Sequence, residues 1–248
     1  MRLDKVLSNF GFGSRSEIKK LAKDGLIRVD GSTAKDTSMH VDPENNRIEI
    51  KGTPLNYRRY IYIMMNKPAG IISATVDNKH RTVIDLLPDE FSCFNLFPAG
   101  RLDIDTEGML LLTNDGQMAH ELLSPKKHVD KRYCALIEGE VTDEDVKRFN
   151  DGIILEDGYK TMPAELDIIN SGTHSEIELT LHEGKFHQVK RMFEATGKKV
   201  TYLKRIRIGG LQLDDTLNPG ECRELTSEEV ALLKGTFRGD VSQLQDSR

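Results

Sequence analysis

A turn bounded by glycines and rich in carboxylates precedes an apolar run in the middle of the chain. It spans residues 100–108, contains Asp103 and Asp105, and leads into Met109 to Leu112. An Asp held in a turn beside a buried strand can act as a nucleophile, a general base or a metal ligand. The spacing does not choose among these roles, and solvated turn carboxylates are the ordinary interpretation of an Asp-x-Asp turn. The turn is nevertheless where chemistry is to be sought first.

A second candidate group lies in a glycine turn and in the helix that we expect over residues 187–196. The apolar residues of this segment form one helix face. The opposite face carries three basic residues, His187, Lys190 and Arg191. A charged face in solvent is the ordinary interpretation of such a run. The alternative is a cationic surface that orients a carboxylate and binds phosphates.

The charges are segregated along the chain, although the net charge is -5. Residues 1–59 contain twelve Lys and Arg against eight Asp and Glu, and residues 183–207 contain eight against two. From residue 208 onward the balance reverses, with eight acids against four bases. Two basic zones in an acidic protein fit two surfaces that follow a phosphate backbone.

Length and composition indicate a globular protein. The 248 residues with 38% hydrophobic content predict one large domain and a smaller one. No apolar run approaches the roughly 20 residues of a membrane helix, and the N-terminus lacks the apolar core of a signal peptide. We therefore expect a cytoplasmic protein without membrane contact. The cysteines stand far apart without metal-ligand spacing, which predicts reduced, mostly buried thiols and no metal site: Cys93, Cys134 and Cys222.

The N-terminal residues predict a small basic module. Apolar residues from Leu3 to Leu7 recur at helical spacing, and Ser14 with Glu17 forms a capping box for a second helix that ends at Lys23. A short strand follows at 26–29. The basic residues of the second helix lie three to four positions apart and can share one face: Arg15, Lys19, Lys20 and Lys23.

The remainder predicts an α+β domain with a mixed, largely antiparallel sheet flanked by helices. We expect strands at 60–65, 109–113, 133–138, 177–181 and 205–208. Helices are expected near 117–123, 143–149, 187–196 and 227–234. The polar segment 51–59 is a predicted linker. The expected domains are therefore 1–55 and 60–238, followed by a flexible tail at 239–248.

Taken together, the motifs resemble the RsuA-type family of bacterial ribosomal RNA pseudouridine synthases over nearly the whole chain. Residues 1 to about 50 resemble the S-four-like RNA-binding module. Asn66-Lys67-Pro68-Ala69-Gly70 resembles the first signature of the catalytic domain. Gly100 to Asp103, with Thr106, Gly108 and residues 113–116, resembles the central signature. The segments 183–185 and 187–192 resemble the branch that acts on small-subunit (16S) ribosomal RNA.

The resemblance implies that the protein isomerises a specific uridine to pseudouridine without a cofactor or metal. Asp103 takes the place of the family's essential Asp, which either attacks the anomeric carbon or removes a sugar proton. Tyr133 matches the family's active-site tyrosine, which stacks on the flipped base. We expect Lys190 beside Asp103, with Arg191 as the second choice, because a nearby cation opposes the desolvation of a carboxylate.

The resemblance also implies ribosomal RNA, most of all 16S RNA, as the partner. The target base must be extruded from the stacked RNA, and a side chain can occupy the space that it leaves. Arg101 is the candidate for this role and for contact with phosphate. The other candidate RNA contacts are His187, Gln188, Arg191, Arg15, Lys19, Lys20 and Arg28. The sequence leaves open whether the substrate is free RNA or a partly assembled small subunit. We expect a monomer.

Three alternatives accompany this interpretation. The first is an enzyme of the same family that acts on large-subunit RNA. The second is a non-catalytic RNA-binding assembly factor, which would have no reason to keep Arg101, Asp103 and Lys190 together. The third is a nuclease or phosphoryl-transfer enzyme whose acidic turn gathers magnesium through Asp103, Asp105 and Glu107, although the chain has no phosphate-binding glycine loop.

Overall fold

The computed structural model describes residues 1–238, which form two compact units. One unit contains Met1–Ile61 together with Pro88–Asn95, and the other contains Tyr62–Leu87 and the residues from Leu96 onward. The domain boundaries expected from the sequence stay a prediction, and the tail predicted at 239–248 lies outside the described residues. Within residues 1–238, no helix is both long enough and apolar enough to span a bilayer.

The first unit combines two helices with a small antiparallel sheet of order β2-β1-β3-β4. The helices are α1 (Leu3–Asn9) and α2 (Arg15–Lys23), and the strands are β1 (Ile27–Val29), β2 (Ser32–Thr33), β3 (Ile48–Ile50) and β4 (Thr53–Pro54). The predicted capping box forms, since Ser14 and Glu17 each accept from the other's backbone N–H. Apolar residues of both helices and of β1 and β3 share one core: Leu3, Leu7, Ile18, Ala22, Ile27 and Ile48.

The second unit is built on a nine-stranded mixed sheet of order β13-β5-β7-β11-β8-β10-β9, with β12 beside β11 and β6 beside β7. The strands are β5 (Tyr62–Lys67), β6 (Phe97–Pro98), β7 (Glu107–Thr113), β8 (Lys131–Glu138), β9 (Glu165–Asn170), β10 (His174–Leu181), β11 (Lys199–Ile208), β12 (Leu211–Gln212) and β13 (Cys222–Glu224). The helices are α3 (Gly116–Leu123), α4 (Asp143–Asp151), α5 (Gln188–Glu194) and α6 (Ser227–Arg238). The predicted α+β class is confirmed.

Several element boundaries differ from those expected. The strand predicted at 60–65 starts at Tyr62 and continues to Lys67, because backbone carbonyls satisfy the buried ammonium group of that lysine. The helix predicted from residue 187 starts at Gln188, since His187 has left-handed backbone angles. The prediction omitted β9, whose charged outward residues mask the alternation of a strand, and it placed a linker over β4.

The expectation of mostly buried cysteines is wrong. The three cysteines form no disulfide with one another, and all are partly exposed: Cys93, Cys134 and Cys222. Cys134 lies on the outer side of β8, where exposed and buried positions alternate, and Cys222 lies on the terminal strand of the sheet order. For Cys134 and Cys222, the position in the sheet, which composition does not reveal, explains the difference.

Gly108 allows β7 and β11 to approach as a parallel pair in a sheet whose other pairs within residues 1–238 are antiparallel. It has φ +97, and a Cβ atom built on it would stand 2.2 Å from the carbonyl oxygen of Arg205. Gly108 pairs with Arg205, which in turn pairs with Tyr133 across β8. The register therefore connects the end of the acidic turn to Tyr133.

We predict that Gly108→Ala lowers the free energy of unfolding by at least about 2 kcal/mol, because an L side chain is strained at this φ and collides with β11. Gly210→Ala is the matched control, since a Cβ there meets nothing within 4 Å, and it should change stability by less than about 0.5 kcal/mol. Urea denaturation measures both. Equal stabilities of the two variants would contradict the role given to Gly108.

Candidate active site

A cavity of about 800 Å³ lies beside the acidic turn. Its lining comes from the turn itself, from β8 and β11, and from the segment that leads into α5. The side chains important here are Arg101, Asp103, Tyr133, Lys185, Phe186, His187, Lys190 and Arg205. The structure thus brings together candidates that are separated in the sequence by up to about a hundred residues.

Asp103 lies at this cavity between two side chains that carry or can carry positive charge. One carboxylate oxygen is 3.7 Å from Lys190 Nζ, and the other is 3.6 Å from His187 Nε2. The Asp103 side chain is 27% exposed, so a substrate can reach it while the sheet still restricts it. These distances exceed those of good hydrogen bonds, and the attraction is therefore electrostatic.

Lys190 makes its shorter contact with Asp105. Its Nζ donates to Asp105 Oδ1 at 2.6 Å, and this bond lowers the pKa of Asp105 below its usual value. Because the Asp105 side chain is 64% exposed, the ion pair is open to exchange with another anion. Lys190 therefore lies between two carboxylates and can move toward Asp103 when Asp105 is solvated or displaced.

Arg191, the second choice for a cation beside Asp103, has a different partner. Its guanidinium donates to the Asp157 carboxylate, in the segment between α4 and β9. Both Lys190 and Arg191 belong to α5, but of these two it is Lys190 that pairs with Asp103, whereas Arg191 pairs with Asp157. The geometry favours the first choice made from the sequence.

The ammonium group of Lys67, which is fully buried, donates hydrogen bonds to backbone carbonyls of the acidic turn. Its Nζ donates to the carbonyl oxygens of Pro68 and Thr106 at 2.9 Å and to that of Ile104 at 3.4 Å. Burial lowers the pKa of Lys67 to about 8, against the attraction of the acidic turn. The sequence placed Lys67 within a signature but gave it no role.

Further hydrogen bonds fix the backbone on both sides of Asp103. Ser73 Oγ accepts from Leu102 N at 3.1 Å and donates to Leu102 O at 3.0 Å. Gly70 N donates to Ile104 O at 2.7 Å. The loop after β5 therefore holds the turn through backbone groups of the residues that flank Asp103. Arg101 remains exposed at the cavity, where RNA could contact it.

Tyr133 lines the cavity together with two buried basic residues, Lys131 and Arg205. Tyr133 and Lys131 lie two positions apart on the buried face of β8, and Tyr133 pairs with Arg205 of β11. Lys131 Nζ donates to Val129 O at 2.9 Å, and Arg205 Nε donates to Met109 O at 2.8 Å. Burial, reinforced by Arg205, lowers the pKa of Lys131 to about 8. The sequence prediction missed both cations, because its strands began at Tyr133 and Arg205 without assigning their inward faces.

Glu183 organises the turn that precedes α5. It is buried, and its carboxylate accepts from Tyr159 Oη at 2.7 Å, from Met162 N at 2.9 Å and from Gln188 Nε2 at 2.8 Å. Gln188 in turn accepts from Lys185 N at 2.9 Å. The amide of Gln188 is therefore engaged in shaping the turn, and a direct contact between Gln188 and RNA stays a prediction.

The magnesium site of the alternative interpretation is not formed by the three turn carboxylates. Asp105 is paired with Lys190, and Glu107 accepts from Tyr202 Oη at 2.9 Å. Burial, together with this bond, raises the pKa of Tyr202. Within residues 1–238, no three His, Cys, Asp or Glu side chains are grouped as metal ligands. The arrangement instead leaves one of the turn carboxylates, Asp103, at the cavity between Lys190 and His187.

The remaining candidate RNA contacts belong to the first unit. They lie on α2 and β1 and are all exposed: Arg15, Lys19, Lys20 and Arg28. Ile18, Leu21 and Ala22 pack on the opposite side of the same helix. The helix thus presents basic residues to solvent and its apolar residues to the core of the unit, as the sequence indicated.

Comparison with known families decides what kind of enzyme this site belongs to. The family model described as RNA pseudouridylate synthase matches residues 61–195, which include Asp103, Tyr133 and Lys190. The chain belongs to the RNA pseudouridylate synthase family. Residues 1–47 match the S4 domain. The family membership and the N-terminal module inferred from the motifs are confirmed.

Relatives of this pseudouridine synthase are similar along almost their entire length. An "Uncharacterized RNA pseudouridine synthase YtzG" of Bacillus subtilis is 53% identical over 94% of this chain and 98% of its own. The "Ribosomal small subunit pseudouridine synthase A" of Escherichia coli is 40% identical over 93% and 99%. A crystal structure of a pseudouridylate synthase has a TM-score of 0.66 and 35% identity, covering 94% of this chain and 99% of that chain.

We predict that the stability of the synthase relative to a Lys67→Met variant increases as the pH rises from 8 toward 10.5. In the folded protein the pKa of Lys67 is about 8, whereas an unfolded lysine keeps its proton to about 10.5. Between these values the unfolded state binds more protons, so stability rises with pH. Urea denaturation of both proteins from pH 7 to 10 measures the difference. A difference that stays constant or falls over this interval would be inconsistent with the lowered pKa.

Proposed function

We propose that the enzyme converts one uridine of 16S ribosomal RNA to pseudouridine, with Asp103 as its nucleophile or base. The observation that carries the proposal is the placement of Asp103 at the cavity, 3.7 Å from Lys190 and 3.6 Å from His187. A carboxylate must be ionised to attack the anomeric carbon or to remove a sugar proton, and the ammonium group of Lys190 lies beside this one.

The proposed reaction is an isomerisation that needs no external reactant. The bond between the ribose C1′ and the uracil N1 breaks, the uracil ring rotates, and a bond forms between C1′ and C5. The proton on C5 is lost and N1 gains one, so atoms and charge balance. A cavity of about 800 Å³ has room for a flipped nucleotide. Tyr133 lines this cavity, and we assign it the role of stacking on the flipped base.

The choice of small-subunit RNA rests on the relatives. Several relatives from different bacteria bear the name "Ribosomal small subunit pseudouridine synthase A" at 40–43% identity over 93% of this chain. The sequence motifs favoured the same branch. We therefore propose 16S RNA, free or in a partly assembled small subunit, as the substrate of a monomeric enzyme. A ribosomal substrate implies a cytoplasmic location.

Substrate binding is proposed to use both units. The exposed basic side chains of the S4 domain contact phosphates. In the second unit, Arg101, Lys190 and Arg191 contact the RNA around the target nucleotide. Arg101 fills the space left by the flipped base. Phosphate contacts give affinity without much sequence information, so selectivity for one uridine depends on RNA shape and on simultaneous contacts with both units.

We predict that Asp103→Asn abolishes modification, whereas Asp105→Asn does not. Asp103→Asn removes the reactive carboxylate and should lower the single-turnover rate by at least about 10³-fold. The same substitution two residues away removes only the exposed partner of Lys190 and should leave the rate within about tenfold. Pseudouridine is mapped at nucleotide resolution in unmodified 16S RNA, with and without assembly proteins and EDTA.

One new pseudouridine that EDTA does not affect and that Asp103→Asn fails to make is the expected result. Equal rates for Asp103→Asn and the wild type would overturn the assignment of Asp103. Modification of large-subunit RNA instead of 16S RNA would overturn the choice of 16S RNA as the substrate. Binding without modification would support an assembly factor, and strand cleavage that EDTA abolishes would support the metal-dependent alternative.

We also predict that neutralising the basic face of α2 weakens RNA binding without changing the chemical step. The variant Arg15→Gln/Lys19→Gln/Lys20→Gln should reduce the magnitude of the slope of log affinity against log salt, by roughly 0.7–0.9 for each phosphate that the variant no longer neutralises. Single-turnover rates at saturating enzyme should remain close to wild type. Filter binding from 50 to 200 mM salt measures the slope, and a Lys126→Gln/Lys127→Gln variant of the second unit serves as a charge control. An unchanged slope would remove α2 from the RNA interface.

A further inference from the structure

Phe186 is a large apolar side chain that the fold leaves in solvent. It is 69% exposed, although Glu183, three residues before it, is buried and the backbone N–H of Lys185 donates to Gln188. It also belongs to the lining of the cavity that contains Asp103. An exposed Phe contributes little to the core, so packing within the protein does not explain its position.

The Phe186 ring is already stacked on the neighbouring imidazole. The centroids of the Phe186 and His187 rings are 3.8 Å apart, and the ring planes are inclined by 17°. His187 adopts φ 50, a left-handed backbone conformation that costs free energy for a residue other than glycine. The backbone conformation and the ring pair together hold a flat aromatic surface at the rim of the cavity.

The segment beneath this surface is fixed. Glu183 accepts from Tyr159, Met162 and Gln188, and Gln188 accepts from Lys185 N. The ammonium group of Lys185 lies 4.7 Å from the centroid of the Tyr159 ring. These contacts order the turn before any ligand binds, so stacking on Phe186 would not first have to order a loop.

The position of the surface relative to Asp103 suggests what binds it. His187 Nε2 is 3.6 Å from Asp103, so the ring pair stands directly beside the reactive carboxylate. Tyr133, which is buried within the cavity, serves the target base itself. Lys185, Lys190 and Arg101 surround the rim with positive charge, which complements a phosphate backbone. Every nucleobase has a flat face that stacks on an exposed aromatic ring.

We propose that Phe186 and His187 form a stacking platform for a nucleobase of the RNA substrate immediately next to the target uridine. The proposal rests on the proposed function for the presence of RNA at this cavity. The platform fixes one neighbour of the uridine while the uridine itself is turned toward Asp103. Phe186 is thus a positioning residue. It contributes to the choice of the target uridine because it binds the nucleobase next to that uridine.

The test is a double-mutant cycle between Phe186 and the RNA. Phe186→Leu keeps an apolar side chain of similar size but removes the flat ring, and Phe186→Tyr keeps the ring. Each of the two neighbours of the mapped uridine is replaced in turn by an abasic nucleotide. The abasic change at one neighbour should lower kcat/KM of the wild type by about 10- to 100-fold, as should Phe186→Leu.

Coupling distinguishes stacking from a merely structural role. If the base stacks on Phe186, the abasic change should have almost no further effect in Phe186→Leu, and Phe186→Tyr should behave as the wild type. Ile154→Ala removes another exposed apolar side chain, 66% exposed and outside the cavity, and should leave the coupling intact. If the effect of Phe186→Leu and the effect of each abasic change simply multiply in the double variant, the platform is overturned.

The same cycle can be measured as binding, without turnover, in the Asp103→Asn background. Here the RNA is the mapped target segment or, if no uridine is modified, single-stranded oligouridylate with one abasic site. Coupling in binding, if the wild-type enzyme modifies no uridine, would count against the proposed function while supporting the platform. Modification of 16S RNA without coupling to Phe186 would overturn the platform while supporting the proposed function.

Discussion

The contact between the buried ammonium group of Lys67 and the acidic turn is the interaction on which the active-site geometry depends. Three carbonyl oxygens, from Pro68, Ile104 and Thr106, receive one ammonium group that has three N–H donors. A well-formed hydrogen bond from a charged donor contributes about 1.5–3 kcal/mol, which here offsets part of the cost of burying the ammonium group. Since two of these carbonyls lie one and three residues after Asp103, Lys67 restricts the backbone that carries the Asp103 carboxylate, and it does so through hydrogen bonds to backbone carbonyls.

The sheet supplies the second constraint, because the parallel pairing of β7 and β11 determines what stands opposite the turn. Gly108 lets the two backbones approach, and the register continues from Arg205 to Tyr133. The turn then meets α5, whose Lys190 is drawn toward Asp103 and Asp105. A carboxylate on one loop, an aromatic ring on a strand and a cation on a helix are thereby positioned around one cavity by three different elements.

Much of this site could be predicted from the sequence, since glycine-bounded motifs and helical spacing are local signals. Asp103 and Lys190 were found in this way. Choosing between Lys190 and Arg191 required the structure, because both lie on the outer side of α5 and the position of Asp157 decides their partners. Lys67 and Arg205 escaped assignment for a different reason. Sequence patterns assume that charged residues face solvent, whereas each of these two is buried and donates to a backbone carbonyl in the interior.

Hydrogen exchange at the Thr106 amide in the wild type and in Lys67→Met tests the dependence of the turn on Lys67 most directly. This N–H donates to Asp103 O at 3.1 Å, so its protection reports whether the turn is closed. The account predicts faster exchange at Thr106 in the variant, while the Ala99 amide, which bonds to Leu111 O, keeps its protection. Unchanged exchange at Thr106 in a folded Lys67→Met protein would show that the turn holds its shape without Lys67.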